Sequence, residues 1–195
     1  MKGKSVLDIL KEMLDNVMNI LPKKGKVIVE YESGIPYMAL GERELARMLE
    51  LDYQTIRRIH AKTVSKITRI NPETVKRVGR GKLVVESIED AIKVISLLRQ
   101  NLFTVKAEVI LEDRESITPI DLEKLTADYI KLLSYIESTT KSEGKPLDDK
   151  LLKLWIQLAT AIELLSGKVN ETTAHILQVP FIPKSEKKKK TRPQK

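Results

Sequence analysis

A mainly α fold is predicted: a bundle of two tandem helix-turn-helix units with a small two-stranded sheet, then a C-terminal α-helical hairpin. Three observations predict it. Residues 41–81 read twice, at an offset of 19 residues, as helix, turn and helix. Apolar residues recur at helical spacing over most of the 195-residue chain, which is long enough to bury a core. Two long apolar-striped segments near the C-terminus are joined by Gly144–Pro146, as helical hairpins are.

Taken in order, residues 5–21 form a stripe of Val6, Ile9, Leu10, Met13, Leu14, Val17 and Leu21, closed by Pro22 and Gly25. Lys26–Tyr31 is a short strand by its β-branched content, and Ser33–Pro36 a turn. In the first unit Leu45, Met48 and Leu49 share one helix face, and Ala46 leaves room for a crossing helix. Asp52 suits the N-cap of a second helix from Tyr53, whose Ile56 and Ile59 point back at the first. Tyr53, Gln54, Arg57 and Arg58 are then left outside. Glu50 stands at the turn, where a left-handed conformation is costly for a Glu.

In the second unit Leu45 aligns with Val64, Met48 with Ile67, Ile56 with Val75, Arg57 with Lys76 and Arg58 with Arg77. Asn71 suits an N-cap, Pro72 the first helical position and Glu73 the first turn. Val75 and Val78 are expected inside; Glu73, Lys76, Arg77 and Arg80 outside; Gly79 and Gly81 at the helix end. Residues 86–100 read as an amphipathic helix on Ile88, Ala91, Ile92, Ile95 and Leu98. Residues 103–111 alternate as a second strand, able to pair with 26–31.

The run VSKITRINPETVKRVGRGKLVVESIEDAIKVISLL resembles the DNA-binding core of phage-repressor-like regulators. ELARMLELDYQTIRRI is more similar to the shorter motif of plasmid partition proteins and lactose-repressor-like regulators. The resemblance spans about residues 41–100, and Glu50 and Arg69 depart from it where a turn Gly is usual. It implies duplex DNA as partner, with Tyr53, Gln54, Arg57, Arg58, Glu73, Lys76, Arg77 and Arg80 facing it. Gln suits adenine, and Arg suits guanine or phosphate.

Charge points the same way. Of a net +8, residues 41–82 carry +6 and residues 184–195 another +6, so the other 141 residues sum to −4. Lys62, Lys66, Arg69, Lys82 and the tail's Lys187, Lys188, Lys189 and Lys190 are therefore expected to contact phosphate without reading sequence.

The stretch 112–116 is acidic and marks a boundary. Residues 1–112 are read as the DNA-binding domain, 117–180 as the hairpin and 181–195 as a disordered basic tail. The hairpin's first helix runs from Thr118-Pro119 to about Lys141. Its second carries Leu147, Leu151, Leu154, Trp155, Leu158, Ile162 and Leu165 to Ser166, with Gly167 as C-cap; 170–178 is one more short helix. Two such arms expose more apolar surface than they cover. Either a second copy of the chain covers it, as a homodimer on a two-fold DNA site, or the chain's own N-terminal helix does.

No cofactor, metal site or small-molecule ligand is expected. Cys is absent, and His60 and His175 have no Ser, Cys or carboxylate pattern around them. The acids Glu112, Asp113, Glu115, Asp121 and Glu123 follow no metal-ligand spacing. No apolar run spans a membrane, and Asp8, Glu12 and Asp15 break any signal-peptide core. A cytoplasmic, nucleoid-associated, non-enzymatic protein is expected, and the Lys, Glu, Ile and Leu content leans toward a thermophile. A transcriptional regulator is the leading expectation. The alternatives are an architectural or plasmid-partition protein covering repeated sites, and a scaffold using the same units for protein contacts.

Overall fold

The structure, a computed structural model, describes residues 3–22, 24–35, 38–111, 123–124, 126–132, 134, 149–165 and 168–169. Helix α1, Val6–Ile20, starts on a capping box: Ser5 Oγ accepts the Asp8 N–H at 3.2 Å, and Asp8 Oδ2 accepts the Ser5 N–H at 3.3 Å. It buries Leu10 and Val17. Strand β1, Gly25–Ile35, alternates with period two, placing Val27, Val29 and Tyr31 inside and Glu30 and Glu32 outside. The short β2, Met38–Ala39, folds back on its end, pairing with Ile35 and Gly34. Helices α2, Glu42–Met48, and α3, Tyr53–Ile67, follow.

A β-hairpin comes next, β3 (Val75–Gly79) and β4 (Lys82–Val85), then α4, Ile88–Gln100, capped by Ser87, and β5, Phe103–Leu111. Helical residues described between 123 and 134 make up α5; α6 is Asp149–Leu165, and β6 is Lys168–Val169. The strand order is β3-β4-β1-β5-β6, with every neighbouring pair antiparallel.

Register explains the core. Val27 lies between Val85 and Val109, and Val29 between Leu83 and Ala107, so one face of the sheet is continuously apolar. Helix α4 covers that face with Ile88, Ala91, Ile92, Ile95 and Leu98. Helix α6 packs on both α1 and α4. Being covered on several sides, α6 buries Trp155, Leu158, Ala161, Ile162 and even Glu163, as a helix enclosed by its neighbours must. The Trp155 Nε1–H donates to the Tyr129 hydroxyl, tying α6 to α5. The described part of the apolar stripe, within Asp149–Leu165, is thus packed, within this chain, against α1 and α4; Leu147 lies outside the described residues.

The mainly α expectation is corrected by this architecture. The protein is an α/β fold on a mixed-length antiparallel sheet. Strand 103–111 does pair with β1, but as one of several neighbours rather than in a two-stranded sheet.

The second tandem unit is corrected with it. Its supposed first helix, around Val64 and Ile67, is the C-terminal half of the uninterrupted 15-residue α3. Its supposed recognition helix stops after one turn: the Thr74 and Val75 N–H groups both reach the Asn71 carbonyl, and Asn71 Oδ1 accepts the Glu73 N–H. Beyond Val75 the β-branched residues flanking Gly79 and Gly81 favour a hairpin. Gly81 has φ +68°, and a Cβ there would lie 2.7 Å from the Tyr31 carbonyl oxygen. Val78, expected inside, is exposed. Ser33–Ile35, read as a turn, extend β1 instead.

The expected boundary at 112–116, the helix start at Thr118-Pro119, the connection Gly144–Pro146, the cap Gly167, helix 170–178 and the tail 181–195 lie outside the described residues.

Candidate nucleic-acid interface

The first unit forms as two helices joined by a tight turn. Helix α2 ends in a pair of closing bonds: the Leu51 N–H reaches the Ala46 carbonyl at 2.9 Å and the Glu50 N–H the Arg47 carbonyl at 3.3 Å. This is the pattern that normally places Gly in the left-handed region, and Glu50 adopts it with φ 52°. Asp52 occupies the N-cap of α3, without a side-chain hydrogen bond. Leu45, Ala46 and Ile56 then pack with Ile35 in a small core of their own.

That packing turns one face of α3 outward. Gln54, Arg57, Arg58, Lys62 and Lys66 are all exposed, and Arg69 extends the row into the following turn. Helix α3 carries four cations and no carboxylate. From Arg57 to Lys66 the row spans about 13 Å at the helical rise. None of Arg57, Arg58, Lys62, Lys66 or Arg69 forms an ion pair among the described residues. Tyr53 is half-buried rather than outward, with the guanidinium carbon of Arg57 5.7 Å from its ring centroid.

The remaining expected contacts sit on the hairpin and not on a helix. Glu73 is exposed in the turn before β3. Lys76 and Arg77 are exposed on β3, Arg80 in the hairpin turn and Lys82 on β4. Two of these are already paired: Lys76 with Glu86 at 3.0 Å and Lys82 with Glu30 at 3.5 Å. Arg77 and Arg80 form no ion pair among the described residues. Lys187, Lys188, Lys189 and Lys190 lie outside the described residues.

A chain of contacts joins the hairpin to α3. The Tyr31 N–H donates to the Gly81 carbonyl at 2.9 Å. The Tyr31 ring meets Phe103 edge-on at 5.4 Å, and Phe103 stacks on His60 of α3 at 4.2 Å. His60 faces Glu42 of α2 through Nδ1 and the Leu102 carbonyl through Nε2, each at 3.1 Å. Both basic elements are therefore referred to the same end of β1 and β5.

Sequence reasoning missed His60, whose carboxylate partner lies 18 residues away. It also missed Arg43, exposed on α2 with its guanidinium carbon 5.6 Å from the Tyr53 ring centroid. An exposed Arg between the acids Glu42 and Glu44 gave no signal by itself.

Such an arrangement can hold polyanionic backbone, because a row of unpaired cations on a rigid helix releases condensed counterions when it meets phosphate. Among the described residues no group of His, Asp and Glu is placed to hold a metal ion, and no helix is long and apolar enough to cross a membrane. No family model, no curated protein and no solved structure matches this chain.

Proposed function

We propose that this protein binds double-stranded DNA in a sequence-dependent way, as a nucleoid-associated transcriptional regulator does. The observation that carries the reading is α3: an exposed helix face of Arg57, Arg58, Lys62 and Lys66 with no carboxylate on the helix, preceded by a tight turn from a second helix. An α-helix fits the major groove of B-DNA, where Gln54 and the arginines can reach base edges while the lysines meet phosphates. The hairpin's Arg77 and Arg80 supply further cations beside the same strand ends. The reading includes a second copy of the chain, so that two α3 helices serve half-sites about 34 Å apart.

The test is duplex binding by the full chain across a salt series, with Arg57→Ala and Arg77→Ala beside it. A steep fall in affinity with salt, and loss of preference for a selected site in Arg57→Ala, support the reading. Weak binding that is indifferent to salt, or binding unchanged in both variants, overturns it.

A further inference from the structure

Arg43 and Arg57 stand on two different helices, yet both guanidinium groups lie over one aromatic ring. Their carbons are 5.6 and 5.7 Å from the centroid of Tyr53. Arg57 reaches the ring because it is one helical turn beyond Tyr53 on α3. Arg43 reaches it because the turn at 49–52 folds the start of α2 back over the start of α3.

The neighbouring carboxylates are engaged elsewhere. Glu42 faces His60 at 3.1 Å, and Glu44 pairs with Arg47 at 3.8 Å. Neither Arg43 nor Arg57 forms an ion pair among the described residues. Tyr53 itself is anchored, packing beside Leu45, Ala46 and Ile56. An arginine over an aromatic face keeps its N–H groups directed outward, because the attraction uses the face of the guanidinium plane and leaves its edge free.

We propose that Arg43, Tyr53 and Arg57 form one DNA-gripping unit, in which Tyr53 acts through the two arginines rather than on DNA directly: it orients Arg43 for a backbone phosphate and steadies Arg57 where that side chain can reach a base edge. The ligand of Arg43 is the backbone phosphate of the same duplex, so this inference rests on the DNA-binding reading. It adds Arg43, and with it helix α2, to the contact surface. It also changes the part played by Tyr53 from a base-facing residue to a positioning residue. Two guanidiniums held on one anchored ring lose little freedom when phosphate arrives, which is where long exposed side chains ordinarily lose affinity.

The experiment is the salt dependence of duplex binding by the full chain and by Arg43→Ala, Tyr53→Leu, Tyr53→Phe and the Arg43→Ala/Tyr53→Leu pair. Arg43→Ala is expected to lower affinity on every duplex alike and to reduce the salt slope by about 0.9, the loss of one phosphate contact. Tyr53→Leu keeps the apolar packing and loses the ring; it is expected to lose at least as much, and Tyr53→Phe to rescue it. In the pair, Arg43→Ala should add less than it costs alone. An unchanged slope in Arg43→Ala overturns the inference, as does a Tyr53→Phe loss equal to that of Tyr53→Leu. If Tyr53→Leu melts below the assay temperature, the exposed Arg43→Ala decides. Salt-indifferent binding by the parent chain brings down the DNA reading itself, whereas a steep parental slope with an unchanged Arg43→Ala brings down only this unit.

Discussion

Nδ1 of His60 lies 3.1 Å from a carboxylate oxygen of Glu42, and the imidazole is almost fully buried while the carboxylate is only partly so. The pair pins α3 to the start of α2, and the ring's other nitrogen pins α3 to the Leu102 carbonyl. That carbonyl also accepts the Gly34 N–H at 2.9 Å, and Leu102 has φ 69°, so a strained residue is held by two bonds.

Glu42→Ala leaves a buried ring nitrogen without its partner and is expected to lower unfolding free energy by about 1–3 kcal/mol. Glu42→Gln keeps an amide within reach that can accept from Nδ1 or donate to it, and is expected to lose less. Denaturant unfolding of the three proteins checks both. Equal losses in Ala and Gln would mean that charge, and not the hydrogen bond, secures the contact.

The turn between α2 and α3 stores strain that one substitution can release. Glu50 at φ 52° pays the left-handed penalty that Gly avoids. Glu50→Gly is expected to stabilise the protein by about 0.5–1 kcal/mol, the strain relief exceeding the extra freedom of the unfolded chain. Thermal unfolding measures it. A lower melting temperature would show that Glu50 makes compensating interactions.

Gly34 is the opposite case. A Cβ there would lie 2.1 Å from the Met38 carbonyl oxygen and 2.5 Å from Thr104 Oγ1. Thr104 donates its hydroxyl to the Ile35 carbonyl at 2.7 Å, so the glycine sits inside a hydrogen-bonded corner between β1, β2 and β5. Gly34→Ala is expected to cost about 3 kcal/mol by overpacking. Gly41→Ala, with nothing within 4 Å of its Cβ, is expected to change stability by less than about 0.5 kcal/mol. Comparable losses at the two glycines would refute the steric account.

Periodicity explains which parts of this fold were legible. Helices α1 and α4 and strand β5 each carry one clean period, and their residues alone identify them; β1 is read by its β-branched content only as far as Tyr31, although the strand continues to Ile35. The second unit carries two. Val75 and Val78 are spaced for a helix, yet the same residues flank a two-glycine hairpin, and only pairing of β4 with β1 settles which spacing is used. That pairing joins residues more than 50 apart, beyond the reach of local pattern. The cations of the candidate interface were legible as charges, since exposure follows from the inward apolar stripe. Their grouping was not: Arg43 meets Tyr53, and His60 meets Glu42, only once the turn at Glu50 folds α2 onto α3.

The most deeply buried carboxyl group among the described residues gives a pH-dependent prediction. Glu163 of α6 is fully buried and accepts from Arg99 of α4, which also donates to Thr160 at 3.2 Å. Burial pushes the Glu163 carboxyl above the usual carboxylate range, with the Arg99 guanidinium opposing that shift. A folded-state value above the unfolded one means that the folded chain holds this proton more tightly. Its contribution to stability is therefore complete below the unfolded value and is lost as pH rises through the folded value. Glu163→Gln removes the titration while keeping an oxygen toward Arg99. The stability deficit of Glu163→Gln relative to the parent is then expected to be larger at about pH 4 than at about pH 8. Denaturant midpoints of both proteins at the two pH values measure it. A deficit that grows with pH would show that the Arg99 charge outweighs desolvation and holds the Glu163 carboxyl down.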